Sequence, residues 1–103
     1  FGITGLENEF STFCDILVHK RGAISLARLI ALYTAEPARL LNLDRGTLSV
    51  GAPADITIID PDLEWTFDKN KSVSLSHNTP FHGHTWKGRA VRTIVAGETV
   101  WAL

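Results

Sequence analysis

An α+β fold, helices first and a small antiparallel or mixed sheet after them, is what this sequence predicts. Three observations carry that expectation. Apolar residues recur at helical spacing through the first third of the chain. Beyond Thr47 the pattern changes to β-branched runs and two-residue alternation. Near the end, Ala96-Gly97-Glu98 interrupts two strand-like runs as a tight hairpin turn does, with Gly97 supplying the positive φ that such turns need.

The first helix is expected to begin after Thr4, which forms a capping-box pattern with Glu7, and to stop at Gly22 behind basic His19, Lys20 and Arg21. Leu6, Phe10, Phe13 and Leu17 share its apolar face, with Cys14 and Val18 beside them. Burying four large side chains at about 1.5 to 3 kcal/mol each favours the helix, provided that another surface covers them. Ser25 reads as the cap of a second helix that buries Leu26, Leu29, Ile30 and Tyr33. Glu36-Pro37 opens a third, short helix through Leu43, and Asp44-Arg45-Gly46 ends the helical half.

The strand half starts with Leu48 and Val50, which precede the breaker Gly51-Ala52-Pro53. Ile56 to Ile59 form a β-branched run closed by Asp60-Pro61-Asp62, and Leu63, Trp65 and Phe67 alternate with Glu64, Thr66 and Asp68. Lys69-Asn70-Lys71-Ser72 is a turn or loop. Ala90–Val95 and Thr99–Leu103 are the arms of the hairpin. The chain therefore divides into a helical part, residues 1–46, and a strand part, residues 47–103.

Composition narrows the partners. Hydrophobic residues at 45% and charged residues at 20% are those of a folded domain, and a net charge of −1 leaves no basic footprint for nucleic acid or an anionic membrane. Cys14 is the only cysteine, so neither an intrachain disulfide nor a cysteine-rich zinc site is available, which points to a reducing, cytoplasmic compartment. No apolar run approaches the roughly 18 residues of a membrane-spanning helix.

Several residues invite chemistry and read better as structure. His82-Gly83-His84 has the letters of a metal-binding pair but lacks a third ligand, since His77 has no supporting pattern, so loop histidines are expected. Asp55 and Asp60 bracket a strand; a hydrogen-bonding role for the first and a turn role for the second are preferred to acid-base catalysis. Ser25, Ser72, Ser74 and Ser76 lack a nucleophile elbow, and Cys14 on an apolar helix face reads as inert packing. Trp65, Trp86 and Trp101, with Arg89 and Arg92, are assigned to sheet core and interface, not to a base-stacking platform.

Four segments carry a family resemblance. Phe1-Gly2-Ile3-Thr4-Gly5-Leu6-Glu7, Ala35-Glu36-Pro37-Ala38-Arg39-Leu40-Leu41, Gly46-Thr47-Leu48-Ser49-Val50-Gly51-Ala52-Pro53-Ala54-Asp55-Ile56 and Ser76-His77-Asn78-Thr79-Pro80-Phe81-His82-Gly83 occur in this order. Together they resemble the carboxy-terminal part of type I dihydroorotases, cyclic amidohydrolases of the amidohydrolase superfamily. Glu36 departs from the usual Asn of the family's Asn-Pro-Ala helix. The third segment is shared widely in the superfamily, whereas Asn78-Thr79-Pro80-Phe81 discriminates better among substrates.

The resemblance implies the last helix of a (β/α)8 barrel and the helices after it, then the carboxy-terminal strands of a small composite β-sandwich domain. At 103 residues the chain is too short for a whole barrel of about 250. It opens on Phe1-Gly2 without an initiator Met and is expected to be the tail of a longer enzyme, inactive alone. That enzyme would reversibly hydrolyse dihydroorotate to carbamoyl-aspartate in pyrimidine biosynthesis, at a zinc centre whose ligands map onto none of these residues. Phe1 and Gly2 are the substrate-binding residues that the resemblance implies, at the pocket edge, where a glycine permits close approach of backbone to ligand. The implied partners are the amino-terminal remainder of the enzyme and, through exposed apolar surface, further copies. The alternatives are the tail of an allantoinase or dihydropyrimidinase, or a non-catalytic interaction module.

Overall fold

A computed structural model describes residues 2–103. Three helical elements precede a three-stranded antiparallel sheet: α1 (Glu9–Phe13), which runs on into a π-helical segment (Cys14–Lys20), α2 (Leu26–Tyr33) and α3 (Ala35–Leu40), then β1 (Ile56–Thr66), β2 (Thr85–Val95) and β3 (Glu98–Ala102). The strand order is β1-β2-β3. The α+β layout and the antiparallel alternative for the sheet are thus what forms.

The first helix has the expected period and a different buried face. Asn8, Ser11, Cys14 and Asp15 are buried, the last three against the sheet, whereas Leu6 is 88% exposed and Phe13 is half-exposed. Two polar ties explain the choice: Trp65 Nε1 donates to Ser11 Oγ at 3.0 Å, and the Lys87 amide donates to Asp15 Oδ1 at 3.2 Å. Asp15 is further paired with Lys20 at 2.7 Å. The expected capping box does not form. Asn8 occupies the cap position without a side-chain bond, and Glu7 points to a distant segment. α2 follows its signals closely: Ser25 Oγ accepts from the Arg28 amide at 3.0 Å, and Leu29 is buried. Tyr33 is half-exposed, packs edge-on against Phe10 at 5.7 Å and donates to Glu9 at 3.0 Å.

Thr47–Val50 is not a strand; this stretch is exposed, with Leu48 and Val50 projecting outward. Nor does Asp60-Pro61-Asp62 end one. Asp60 pairs with Arg89 and Glu64 with Lys87, so Pro61, Asp62 and Leu63 bulge opposite Gly88 alone while the strand continues. Asp60 Oδ1 accepts from the Asp62 amide at 3.0 Å, so the turn chemistry is real but is spent on a bulge. Likewise β2 begins at Thr85, five residues before the expected Ala90, because Trp86 is a core residue.

The bulge meets the helix at one point. A Cβ on Gly88, whose φ is 106°, would lie 2.6 Å from Cys14 Sγ and 3.2 Å from the Pro61 carbonyl oxygen. His19 Nε2 donates to that carbonyl at 2.6 Å, which fixes its tautomer. At the other end, Ala96 (φ 50°) and Gly97 (φ 82°) form the two-residue turn joining β2 to β3.

Candidate substrate-facing loop and its clasp

The amino-terminal loop and the segment after the short Lys69–Lys71 turn lie side by side, in opposite directions, joined by hydrogen bonds at three levels. Asn78 Nδ2 donates to the Gly2 carbonyl. The Thr4 amide donates to the Asn78 carbonyl at 2.9 Å. Glu7 then takes four bonds: Oε1 from Ser72 Oγ (2.5 Å), the Ser74 amide (2.9 Å) and Ser74 Oγ (2.8 Å), and Oε2 from the Val73 amide (3.2 Å). Partial burial opposes ionisation of Glu7, but the bonds from Ser72, Ser74 and Val73 outweigh it and hold the carboxyl at about 2.

Of the two residues implied as substrate-binding, Phe1 lies outside the described residues. Gly2 is exposed, with φ 78°, and, its chain neighbours aside, nothing among the described residues stands within 4 Å of the place a Cβ would take. A positive φ is the reason for glycine here, and the space beside the backbone is open. Asn78, singled out in sequence as part of a discriminating segment, is the residue that grips Gly2. Glu7 is singled out in sequence for a helix cap and as the end of the first family segment, and Ser72 and Ser74 only as nucleophiles weighed and set aside, so their pairing is not foreseen.

The remaining reactive-looking side chains are occupied structurally. Asp55 accepts from the Ala96 amide at 2.9 Å and sits 3.4 Å from Arg45 Nε, which ties the hairpin turn to the start of β1. His84 stacks in an aromatic cluster, 5.6 Å from Phe81 and 5.8 Å from Trp86, and the cluster extends to Trp65 and Phe67. His82 Nδ1 accepts from the Lys69 amide at 3.3 Å. Arg89 lies over Trp65, 4.2 Å from the ring centre, and desolvation pulls its pKa down. Cys14 is fully buried; burial, then the charges of Asp15 and Asp62, push its thiol up, away from the reactive thiolate.

An open groove of about 530 Å³ runs between the helices and β1, bordered by Phe10, Ile30, Tyr33, Leu48, Ile56 and Ile59. Its carboxylate, Asp55, is already engaged, so the groove offers apolar surface and not acid-base chemistry. Among the described residues no three His, Cys, Asp or Glu side chains come together to hold a metal ion. They do not fit a zinc centre.

Comparison with known proteins places this arrangement. The chain is 47% identical over 102 residues to a dihydroorotase of Solibacter usitatus, and 41% identical over 100 residues to one of Aquifex aeolicus. These alignments take in 99% and 97% of the chain but 24% and 23% of the relatives, so the chain spans about a quarter of their length. In structure it resembles the L-hydantoinase (dihydropyrimidinase) from Arthrobacter aurescens, with a TM-score of 0.87 and 34% identity over 99% of the chain and 24% of that protein. A D-hydantoinase from Thermus sp., at 24% identity, shares the fold with a TM-score of 0.85. The profile titled "Amidohydrolase family" matches residues 7–101. A match of that extent, in register with both the helical part and the sheet, establishes that the chain belongs to the amidohydrolase family.

Proposed function

We propose that this chain works as the carboxy-terminal part of a dihydroorotase, which interconverts dihydroorotate and carbamoyl-aspartate in the cytoplasm. The observation that carries the reading is identity of 41 to 47% along nearly the whole chain to proteins named dihydroorotase. Residues 1–46 then form the helical end of the barrel and residues 47–103 the last strands of the small β domain. Zinc and its ligands belong to the remainder of the enzyme, since the ligands that the family resemblance implies map onto none of these residues. Phe1 and Gly2 border the substrate, with the open space at Gly2 admitting the ring of the cyclic amide against main chain.

A hydantoinase or dihydropyrimidinase reading is favoured by one specific observation, the 34% identity and TM-score of 0.87 to the L-hydantoinase. It ranks second because the identity to the dihydroorotases is higher. Assay of the full-length polypeptide on dihydroorotate, dihydrouracil, hydantoin and allantoin decides between them. Hydrolysis of dihydroorotate with the largest kcat/KM supports the proposal; preference for any of the others overturns it.

A further inference from the structure

We infer that Glu7 is a positioning residue for substrate binding: through Ser72, Val73 and Ser74 it sets the height of the Asn78 segment, and Asn78 in turn holds the Gly2 loop at the pocket edge. The inference rests on the dihydroorotase reading for the identity of the substrate and for the place of Gly2 at the pocket edge; the clasp itself does not.

The geometry makes Glu7 the anchor of the clasp. Gly2, Thr4 and Glu7 ascend one side while Asn78, Ser74 and Ser72 descend the other. The rung at Gly2 comes from one amide group, and that at Thr4 is a single backbone bond. The Glu7 rung has four bonds to a carboxylate, and hydrogen bonds to a charged acceptor are about twice as strong as neutral ones. Neither side of the clasp beyond Glu7 lies in a helix or strand at these positions, so no regular ladder fixes their register. Releasing Glu7 therefore frees residues 72–79 to shift, and the Asn78 contacts to Gly2 and Thr4 shift with them. Glu7 does not approach Gly2 itself by any hydrogen bond; its effect is transmitted.

The test uses the full-length enzyme with three variants in the clasp, Glu7→Ala, Glu7→Gln and the double variant Ser72→Ala/Ser74→Ala, and Glu9→Gln as a neighbouring-carboxylate control. A misplaced loop weakens binding without touching the reacting groups, so Glu7→Ala is expected to raise KM for dihydroorotate about tenfold with kcat within about twofold. Glu7→Gln keeps one acceptor oxygen and is expected to fall between Ala and wild type; the serine pair, which leaves both backbone bonds, is expected to raise KM about threefold. Amide exchange of peptides covering residues 2–8 and 72–79 should rise together in Glu7→Ala, and in neither for Glu9→Gln. An unchanged KM, a fall in kcat at constant KM, or exchange that rises in one segment alone overturns the inference. Should Glu7→Ala fail to fold, Glu7→Gln and the serine pair carry the same expectations. If wild-type enzyme does not act on dihydroorotate, the proposed function fails, and the exchange experiment alone upholds or overturns the clasp.

Discussion

At the scale of single residues, the tightest constraint is Gly88. Its φ of 106° is one that side-chain-bearing residues avoid, and the space a Cβ needs is taken by Cys14 Sγ and the Pro61 carbonyl. Gly88→Ala is therefore expected to destabilise the fold by roughly 2 to 4 kcal/mol, combining backbone strain with overpacking, as read by denaturant unfolding. Glu7 makes a second expectation. Its carboxyl is depressed from 4.5 to about 2, so its stabilising contribution is fully present above its unfolded value and is lost as pH falls toward 2. The stability difference between wild type and Glu7→Gln should be flat from roughly pH 5 to 9 and shrink below about 4.5, in thermal unfolding against pH. Neither residue advertises these roles in sequence. Glu7 sits three residues after a threonine, and a local pairing is what that spacing implies; the actual partners are 65 to 67 residues away. The site is legible in its motifs, Gly2 and Asn78, but not in the contact between them, which spans 76 residues.

At the scale of elements, period proved readable and orientation did not. The helical repeat of Phe10, Phe13 and Leu17 marks a helix in the right place, yet Ser11, Cys14 and Asp15 turn to the sheet. A hydrophobic stripe says that some neighbour is needed without saying which one. The polar face wins the sheet because Trp65 Nε1 and the Lys87 amide are donors that need partners once buried. Asp60-Pro61-Asp62 shows the complementary limit: turn residues mark a departure from regular pairing, and a bulge satisfies them as well as a chain reversal does. The hairpin turn was legible because its determinants are local, whereas the start of β2 at Thr85 and not Ala90 was not. Even so, Ala96 holds φ 50°, a conformation costly for alanine. Ala96→Asn, which tolerates that φ, should stabilise the hairpin by about 0.5 to 1 kcal/mol and raise the melting temperature, with the amide bond to Asp55 intact.

At the scale of the molecule, the buried apolar set among the described residues is small, comprising Cys14, Leu29, Ala38, Phe67 and Trp86. Against it stands a broad exposed apolar surface that includes Leu6, Leu40, Leu41, Leu48, Val73 and Leu75. Surfaces of this kind mark sites of association. The chain in isolation is expected to self-associate with rising concentration and to bind an environment-sensitive apolar dye, and addition of the amino-terminal remainder should suppress both. Light scattering that shows a non-associating, dye-silent species at high concentration would count against association through these faces. Among the described residues no helix is long and apolar enough to cross a membrane.

The meeting of Cys14, Gly88 and Pro61 also dictates a chronology. Turn residues 96 and 97 bring β2 and β3 together with almost no intervening chain, whereas the bond between Asp15 and Lys87 joins residues 72 positions apart. Entropy of closure delays the long connection until the short one has assembled, and the bulge must already exist for the thiol to find its niche. The segment carrying Cys14 and Asp15, which precedes the sheet in sequence, is thereby seated after it, and during that interval its sulfur and its neighbouring aspartate stand in water.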